Sequence, residues 1–252
     1  MVSSVENTQV KQKDREKALV VAITSSAAFE TGQNDDVYKE GVAFPLLQAL
    51  QRVNERLLEE NPAEELLFDV VLITTNTQQQ QKSSCITSTT RHYGLDVSRF
   101  CFSCEEDFVE TLLENNVSLF LTASQNEAAK ASLRGVTSAL LSGQTAAAPS
   151  EQLRILFCGD SLMQEGTFPP SVSQSFITQI GEMRSRFSVM DSPLTFIMVT
   201  SRGDRENGRQ ALEWLRTRGI KVDEAYCLAG APRRPIINLI RHHFLLSNSV
   251  QA

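Results

Sequence analysis

The sequence predicts an α/β fold made of two halves, each a doubly wound parallel sheet flanked by helices. Short runs of continuous apolar residues alternate with longer stretches of helical spacing, which is the pattern of strands joined by crossover helices. The alternation pauses at a small, Pro-containing segment, residues 142–150, and then begins again. Segments before and after that linker are distantly alike. We therefore predict an internal duplication, with halves at 18–141 and 151–252.

The first half follows a polar leader, residues 1–17, which lacks the apolar centre of a signal peptide and is expected to be flexible. Continuous apolar runs predict buried strands, and apolar residues spaced by three and four predict helices. Asn61-Pro62 is a typical helix end. The predicted strands of this half are Ala18–Ile23, Phe68–Ile73 and Ser118–Leu121, and the predicted helices are 41–60 and Asn126–Leu141.

The second half repeats the alternation, and its turns are where we expect chemistry. Ligands of open parallel sheets bind beyond the carboxyl ends of the strands. The turns at 158–161, 200–202, 229–234 and 247–248 all follow strands, so they can form one crevice. The predicted strands are Arg154–Phe157, Leu194–Val199, Glu224–Leu228 and Phe244–Leu246, and the predicted helices are Ser171–Phe187, Asn207–Arg218 and Pro235–His242.

Charge and composition exclude several classes of protein. The 252 residues carry a net charge of -6, so no global basic surface for DNA is expected. No apolar run approaches the ~18 residues of a membrane helix. Five cysteines without a secretory segment indicate reduced thiols and a cytoplasmic location. One C-x-x-C, Cys101 to Cys104, lacks the second pair that structural zinc requires.

The charge is unevenly distributed between the two halves. Residues 1–150 have a balance of -8 and residues 151–252 a balance of +2, and 11 of the 12 basic residues in the second part are arginine. Arginine suits fixed, bidentate contacts with anions. A solvated helix surface and an acidic protein partner both remain open as explanations.

Eight stretches between about Ala18 and about Asn248 carry a family pattern. They are ALVVAITSSAAFE, KEGVAFPLLQALQRVNERL, FDVVLITTN, HYGLDVSRFC, LFLTAS, LFCGDS, IMVTSR and DEAYCLAGAPRRPIINLIRHHF, and the last is the most specific. These stretches resemble the type I cytosolic 5′-nucleotidases, members of the haloacid dehalogenase-like phosphatases. The resemblance implies Mg²⁺-dependent removal of phosphate from nucleoside 5′-monophosphates such as AMP.

The resemblance assigns catalytic positions to four residues, and two of them depart from the family pattern. Phe-Asp-Gly-Asp of the family reads Phe-Cys-Gly-Asp here, so the nucleophile position holds Cys158 and the general-acid position keeps Asp160. Thr200 stands where a hydroxyl binds the phosphoryl oxygens. The lysine of the family is replaced by Arg233.

Further positions are implied to contact the substrate. Gly159, Ser201 and Arg202 belong to the same turns of the second half, next to the catalytic positions. Thr74 and Asn76 end a first-half strand where the family has Thr-Asn-Asn. A hydrogen-bonded turn at that strand end is the alternative explanation for these two residues.

The acidic pair that helps the family hold Mg²⁺ is missing. Its positions read Ser247 and Asn248, and only Asp160 remains of four expected carboxylates. Mg²⁺ prefers hard anionic oxygen ligands, so we predict a weak or lost metal site. Cys158 is either an inert core residue or, with a nearby cation, a thiolate nucleophile.

Three functions follow from these departures. The first is a catalytically impaired nucleotide- or phosphate-binding regulatory protein, a pseudoenzyme with an unknown protein partner. The second is a working Mg²⁺-dependent 5′-nucleotidase with an altered metal shell. The third is a protein-interaction module that binds no nucleotide.

Overall fold

Continuous apolar segments form the strands of two sheets, because strands covered on both faces need apolar residues at every position. All residues of Leu19–Thr24 and of Leu194–Thr200 are buried. The mixed α/β class predicted from the sequence is thereby confirmed. The computed structural model describes residues 3–30, 37–75, 83–141, 151–162, 172–188, 191–203 and 205–247.

The first sheet lies in the first half of the chain. Its strands are β1 (Ser3–Glu6), β2 (Leu19–Thr24), β5 (Phe68–Thr74), β6 (Arg99–Phe102), β7 (Leu119–Thr122) and β8 (Ser138–Leu140). Their order is β1-β6-β5-β2-β7-β8, and all neighbours are parallel except β1, which pairs antiparallel with β6. Two short strands, β3 (Phe29–Glu30) and β4 (Lys39–Glu40), pair with each other.

The second sheet lies in the second half of the chain and is parallel throughout. Its strands are β9 (Leu153–Cys158), β10 (Leu194–Thr200), β11 (Glu224–Cys227) and β12 (Phe244–Leu246). Their order is β11-β10-β9-β12. The parallel arrangement places the carboxyl ends of β9 and β10 side by side.

Helices connect the strands in both halves. Within the described residues, no helix combines the length and the apolar character needed to cross a bilayer. The helices are α1 (Ser25–Ala28), α2 (Phe44–Glu60), α3 (Ser83–His92), α4 (Phe108–Glu114), α5 (Gln125–Leu133), α6 (Gly159–Leu162), α7 (Val172–Ser185), α8 (Arg205–Arg216) and α9 (Arg233–Ile240).

The two sheets share an order of connection. In each, the first parallel strand along the chain, β2 or β9, lies inside the sheet, and a four-residue helix follows it directly. The next long strand, β5 or β10, pairs on one side of it, and a later strand, β7 or β12, pairs on the other. The strands are parallel, but successive strands are added first on one side of β2 or β9 and later on the other side. This change in strand order is the topology that opens a crevice at the carboxyl edge.

One apolar core joins the two sheets. It includes the inward side chains of both β2 and β9, and α2 packs against β5 and β9. At the surface, Arg56 of α2 pairs with Asp191 at 2.6 Å, and Glu64 pairs with Arg186 at 3.4 Å. The first residue of each pair lies in the first half of the chain and the second in the second half.

The predicted helix at Asn126–Leu141 is too long. The structure ends this helix at Leu133, and residues Ser138–Leu140 form β8 instead. Gly135, at φ 86°, adopts a left-handed conformation that terminates the helix.

Every other predicted strand and helix is present, with ends that move by up to three residues. The predicted linker at 142–150 lies outside the described residues, so the division into two units stays a prediction.

The leader, expected to be flexible, adds a strand to the first sheet. Ser3–Glu6 pairs with β6, and the polar residues that follow are held by side-chain hydrogen bonds. Asn7 Nδ2 donates to the carbonyl oxygen of Val97 at 2.9 Å, and Lys13 Nζ lies 3.0 Å from Asp96 Oδ2. Polar residues suit an edge strand, and such contacts leave no apolar pattern in the sequence.

Two adjacent histidines are buried where the second sheet begins. His243 Nδ1 accepts a hydrogen bond from the backbone N–H of Arg154 at 3.0 Å, so this nitrogen carries no proton. Burial lowers the pKa of His242 and of His243 from 6.5 to about 4. Both imidazoles are therefore neutral in the folded protein at neutral pH.

We predict that the free energy of unfolding decreases as the pH falls from about 6.5 towards about 4. The unfolded chain takes up protons on these imidazoles near the upper value, whereas the folded chain resists protonation until the lower one. The loss is about 3 kcal/mol for each histidine. Urea unfolding over this pH range measures it. We expect the double variant His242→Asn/His243→Asn to weaken the dependence of the unfolding free energy on pH. The control His92→Asn, at an exposed position, should leave that dependence unchanged. Equal pH dependence in the wild type and the double variant would contradict the prediction.

A carboxylate ties together the carboxyl ends of three neighbouring strands in the first sheet. Glu127 of α5 accepts hydrogen bonds from Thr75 Oγ1 at 2.6 Å and Thr122 Oγ1 at 2.5 Å. Thr24 Oγ1 donates to Thr122 Oγ1 at 3.4 Å. Ser124 Oγ caps the helix by accepting from the backbone N–H of Glu127 at 3.4 Å. Strand ends and helix are thus joined through one side chain.

Replacing this carboxylate is expected to destabilise the fold. Glu127→Ala leaves two threonine hydroxyls without their charged acceptor, which costs about 2 kcal/mol of unfolding free energy. Urea unfolding at neutral pH measures the change. Asn126→Ala is the matched control, because Asn126 lies in the same helical turn and is exposed. Equal stability of the two variants would show that the strand ends do not depend on Glu127.

Candidate functional site

The crevice predicted for the second half is built from the carboxyl ends of β9 and β10. Cys158 ends β9 and pairs with Val199 of β10, so the residues that follow the two strands are neighbours. α6 begins directly at Gly159 and turns Asp160 towards Thr200. A Cβ on Gly159 would lie 3.2 Å from Thr200 Cβ, which explains why the smallest residue stands there.

Asp160 is held by hydrogen-bond donors from the end of β10. Its Oδ1 accepts from Thr200 Oγ1 at 2.7 Å. Its Oδ2 accepts from the backbone N–H of Ser201 at 3.0 Å and from Ser201 Oγ at 2.7 Å. Thr200 Oγ1 in turn accepts from the backbone N–H of Arg202 at 3.2 Å. The carboxylate therefore fixes the conformation of the β10 turn.

Arg233 reaches the same carboxylate from the start of α9. Arg233 Nη2 forms an ion pair with Asp160 Oδ2, and Nη1 donates towards Cys158 Sγ at 3.7 Å. One guanidinium therefore contacts both Cys158 and Asp160.

The turn after β11 positions this arginine. Ala229 and Gly230 both have positive φ, 50° and 85°, and the backbone N–H of Gly230 donates to the carbonyl oxygen of Ser201 at 2.9 Å. A Cβ on Gly203 would lie 2.5 Å from Ala229 Cβ, so the two turns are in direct contact. α9 then begins at Arg233, with its side chain beside the end of β9.

The neighbours of Asp160 control its ionisation. Burial raises the pKa of Asp160 and is the largest single effect. The hydrogen bonds from Thr200 and Ser201, followed by the charge of Arg233, together outweigh burial and lower the pKa below its ordinary value. Asp160 is therefore ionised at neutral pH and carries no proton to donate.

The end of β12 completes the crevice with neutral groups. Ser247 Oγ lies 3.0 Å from Ser161 Oγ, at hydrogen-bond distance, which joins the end of β12 to α6. Asn248, the other position of the expected acidic pair, lies outside the described residues. The described part of this wall therefore offers hydroxyl groups where the family pattern has carboxylates.

The structure brings together most of the site residues predicted in the second half. Cys158, Asp160, Thr200, Ser201 and Arg233 are in mutual contact through the bonds described above. Their roles stay predictions.

The two first-half candidates belong to another edge. Thr74 is buried at the end of β5 in the first sheet, and Asn76 lies outside the described residues. The neighbouring hydroxyl of Thr75 is bound by Glu127, a residue that the sequence analysis did not single out. The signal that would have found it is the spacing Ser124-x-x-Glu127, which is typical of a helix start.

The donors of the crevice do not fit Mg²⁺. Among the described residues, no group of three His, Cys, Asp or Glu side chains could hold a metal ion. Asp160 accepts three donors on Oδ2 and one on Oδ1, and the described family positions beside it hold Cys158 and Ser247 in place of carboxylates. Mg²⁺ prefers several anionic oxygen ligands, and the described residues of the crevice supply one carboxylate, which is already paired with Arg233.

Comparisons with known proteins agree with the resemblance read from the sequence. A family model described as 5′-nucleotidase matches residues 11–169, which include the strands β2 to β9, Cys158 and Asp160. The human protein named cytosolic 5′-nucleotidase 1B is 27% identical over an alignment of 281 residues, covering 92% of this chain and 46% of the human protein. The chain thus spans about half the length of this curated relative. Because the family match covers more than half of the chain, the chain belongs to the 5′-nucleotidase family.

Proposed function

We propose that this chain is a nucleotide- or phosphate-binding member of its family that hydrolyses phosphate esters poorly. The observation that carries the proposal is the ion pair between Asp160 and Arg233 beside Cys158. Arg233, 40% exposed, provides a cation that a phosphate group can reach from solvent. Cys158 at the nucleophile position and the pairing of Asp160 with Arg233 leave no unpaired carboxylate nucleophile among the described residues of the crevice.

Impaired hydrolysis follows from the chemistry of the two positions. In the family pattern, an aspartate attacks phosphorus and a second aspartate protonates the leaving oxygen. Cys158 supplies no carboxylate for the first step and is only 2% exposed. Asp160 is poorly suited to the second step, because Arg233 and the donors of Thr200 and Ser201 stabilise its charged form and oppose protonation.

The two alternatives predict different behaviour. A working Mg²⁺-dependent 5′-nucleotidase is favoured by family membership and by the retained Asp160 and Thr200, and it requires turnover. A protein-interaction module requires neither turnover nor nucleotide binding. A thiolate mechanism would need Cys158 to be reachable by phosphorus, which its burial opposes.

We also propose that the two sheets arose by duplication of one haloacid dehalogenase-like unit. Support comes from the shared order of connection and from the four-residue helix that follows both β2 and β9. A type I cytosolic subclass and a cytoplasmic location are proposed from the name of the human relative. An unidentified acidic protein partner is proposed from the arginine-rich second half.

An assay of turnover and binding tests the proposed function. We expect phosphate release from AMP or IMP with Mg²⁺ to be several orders of magnitude below that of an active family member assayed in parallel. We also expect AMP or inorganic phosphate to raise the melting temperature. Cys158→Asp restores a carboxylate at the nucleophile position, and Cys158→Ala is its matched control.

Robust wild-type turnover would establish the active nucleotidase instead. A melting temperature that no nucleotide and no phosphate changes would favour the protein-interaction module. A gain of turnover in Cys158→Asp but not in Cys158→Ala would show that the missing carboxylate limits hydrolysis.

The location of the site is tested by a second prediction. Arg233→Ala is expected to abolish the rise in melting temperature with phosphate, because it removes the cation beside the crevice. Arg209→Ala is the matched control, since Arg209 is exposed on α8 and pairs with Glu213 at 3.2 Å. A phosphate-dependent rise that survives in Arg233→Ala would place the binding site elsewhere.

A further inference from the structure

We propose that the Asp160 carboxylate competes with phosphate for the guanidinium of Arg233, and that phosphate binds in the crevice without a divalent cation. This inference rests on the proposed function and deepens it. It assigns Asp160 a role different from those of a general acid or a metal ligand.

Arg233 shares one oxygen of the Asp160 carboxylate with Ser201. Oδ2 accepts from the backbone N–H and the Oγ of Ser201 and pairs with Arg233 Nη2, whereas Oδ1 accepts from Thr200 Oγ1. Each carboxylate oxygen has about two lone-pair positions, so Oδ2 is fully used. A cation bound at Oδ1 would lie close to the Arg233 guanidinium, and no second carboxylate among the described residues of the crevice would offset that repulsion.

The two side chains of the ion pair differ in their exposure to solvent. The side chain of Asp160 is 14% exposed and that of Arg233 is 40% exposed. Solvent therefore reaches the guanidinium far more easily than the carboxylate. An incoming phosphate meets the cation first and competes with Asp160 for its N–H groups. Phosphate is a strong competitor because guanidinium groups bind its oxygens in pairs.

The rest of the described crevice wall lacks carboxylates. Ser161 Oγ and Ser247 Oγ lie 3.0 Å apart, and Cys158 Sγ lies 3.7 Å from Arg233 Nη1. Hydroxyl groups do not supply the negative charge that would hold Mg²⁺ beside a phosphate, and they do not repel phosphate. Among the described residues of the crevice turns, Asp160 is the single carboxylate that opposes an anion.

Removing the negative charge of Asp160 should therefore strengthen phosphate binding. Asp160→Asn keeps one oxygen acceptor, which serves either Thr200 or Ser201 but not both, and it no longer competes as an anion for Arg233. We expect the dissociation constant of inorganic phosphate to fall roughly tenfold. The same substitution would weaken binding, or leave it unchanged, if Asp160 were a metal ligand or a direct contact of the ligand.

Isothermal titration with inorganic phosphate tests this on the full chain, once with Mg²⁺ and once with EDTA. Wild type, Asp160→Asn and Asp191→Asn are compared. Asp191→Asn changes the net charge equally and also removes an arginine partner, Arg56, but away from the crevice. We expect tighter binding in Asp160→Asn alone and the same wild-type affinity in both buffers.

The remaining outcomes separate a failure of this inference from a failure of the proposed function. Weaker or unchanged binding in Asp160→Asn, with wild-type binding intact, would overturn the inference and leave the proposed function standing. A wild-type affinity that requires Mg²⁺ would do the same, and this comparison decides the matter even if Asp160→Asn does not fold. If no protein binds phosphate in either buffer, the proposed function fails and the inference fails with it.

Discussion

The parallel pairing of buried strands is the constraint on which the rest of the structure depends. Strands covered on both faces are mostly apolar along their length, and a polar side chain there needs a partner, as Asp69 and Arg99 show. Most polar groups that remain accessible lie where the strands end, with β5, β2 and β7 ending together in the first sheet and β10, β9 and β12 in the second. The crevice is therefore a product of strand register as much as of the residues within it.

The carboxyl edge of each sheet stabilises one partly buried carboxylate, and the stabilising partners differ between the two sheets. Each contains a partly buried carboxylate, Glu127 or Asp160, that is stabilised by hydroxyl groups from strand ends. Glu127 accepts from two threonines of the first sheet. Asp160 is also paired with Arg233, which adds a positive charge that solvent can reach. This difference makes the second edge the better candidate for binding an anion.

Sequence patterns predicted the fold well where apolar periodicity was strong. The buried strands ending at Thr24 and Thr200 have continuous apolar runs, and their positions follow from that pattern alone. Ser3–Glu6 could not be predicted, because the strand is short and polar and pairs with residues about a hundred positions away. Ser138–Leu140 was assigned to a helix because a run of small residues fits both periods.

The composition of the site was predictable, but its bonding was not. Strand ends and the family pattern predict Asp160, Thr200 and Arg233 as site residues. Nothing in the sequence indicates that Arg233 contacts the carboxylate, because the contact depends on the turn at Ala229 and Gly230. Glu127 was missed because its partners lie on two separate strands.

The missing acidic residues and the ion pair are connected by charge balance. The family resemblance implies four carboxylates around a metal ion, with one lysine beside them. Here Cys158 and Ser247 stand at two of those positions, and Asp160 is the one carboxylate that the described residues of the crevice supply. An opposite charge stabilises a carboxylate that is mostly removed from solvent, and Asp160, 14% exposed, has Arg233 as that partner. With its charge already balanced by Arg233, Asp160 attracts a metal ion less strongly than an unpaired carboxylate would.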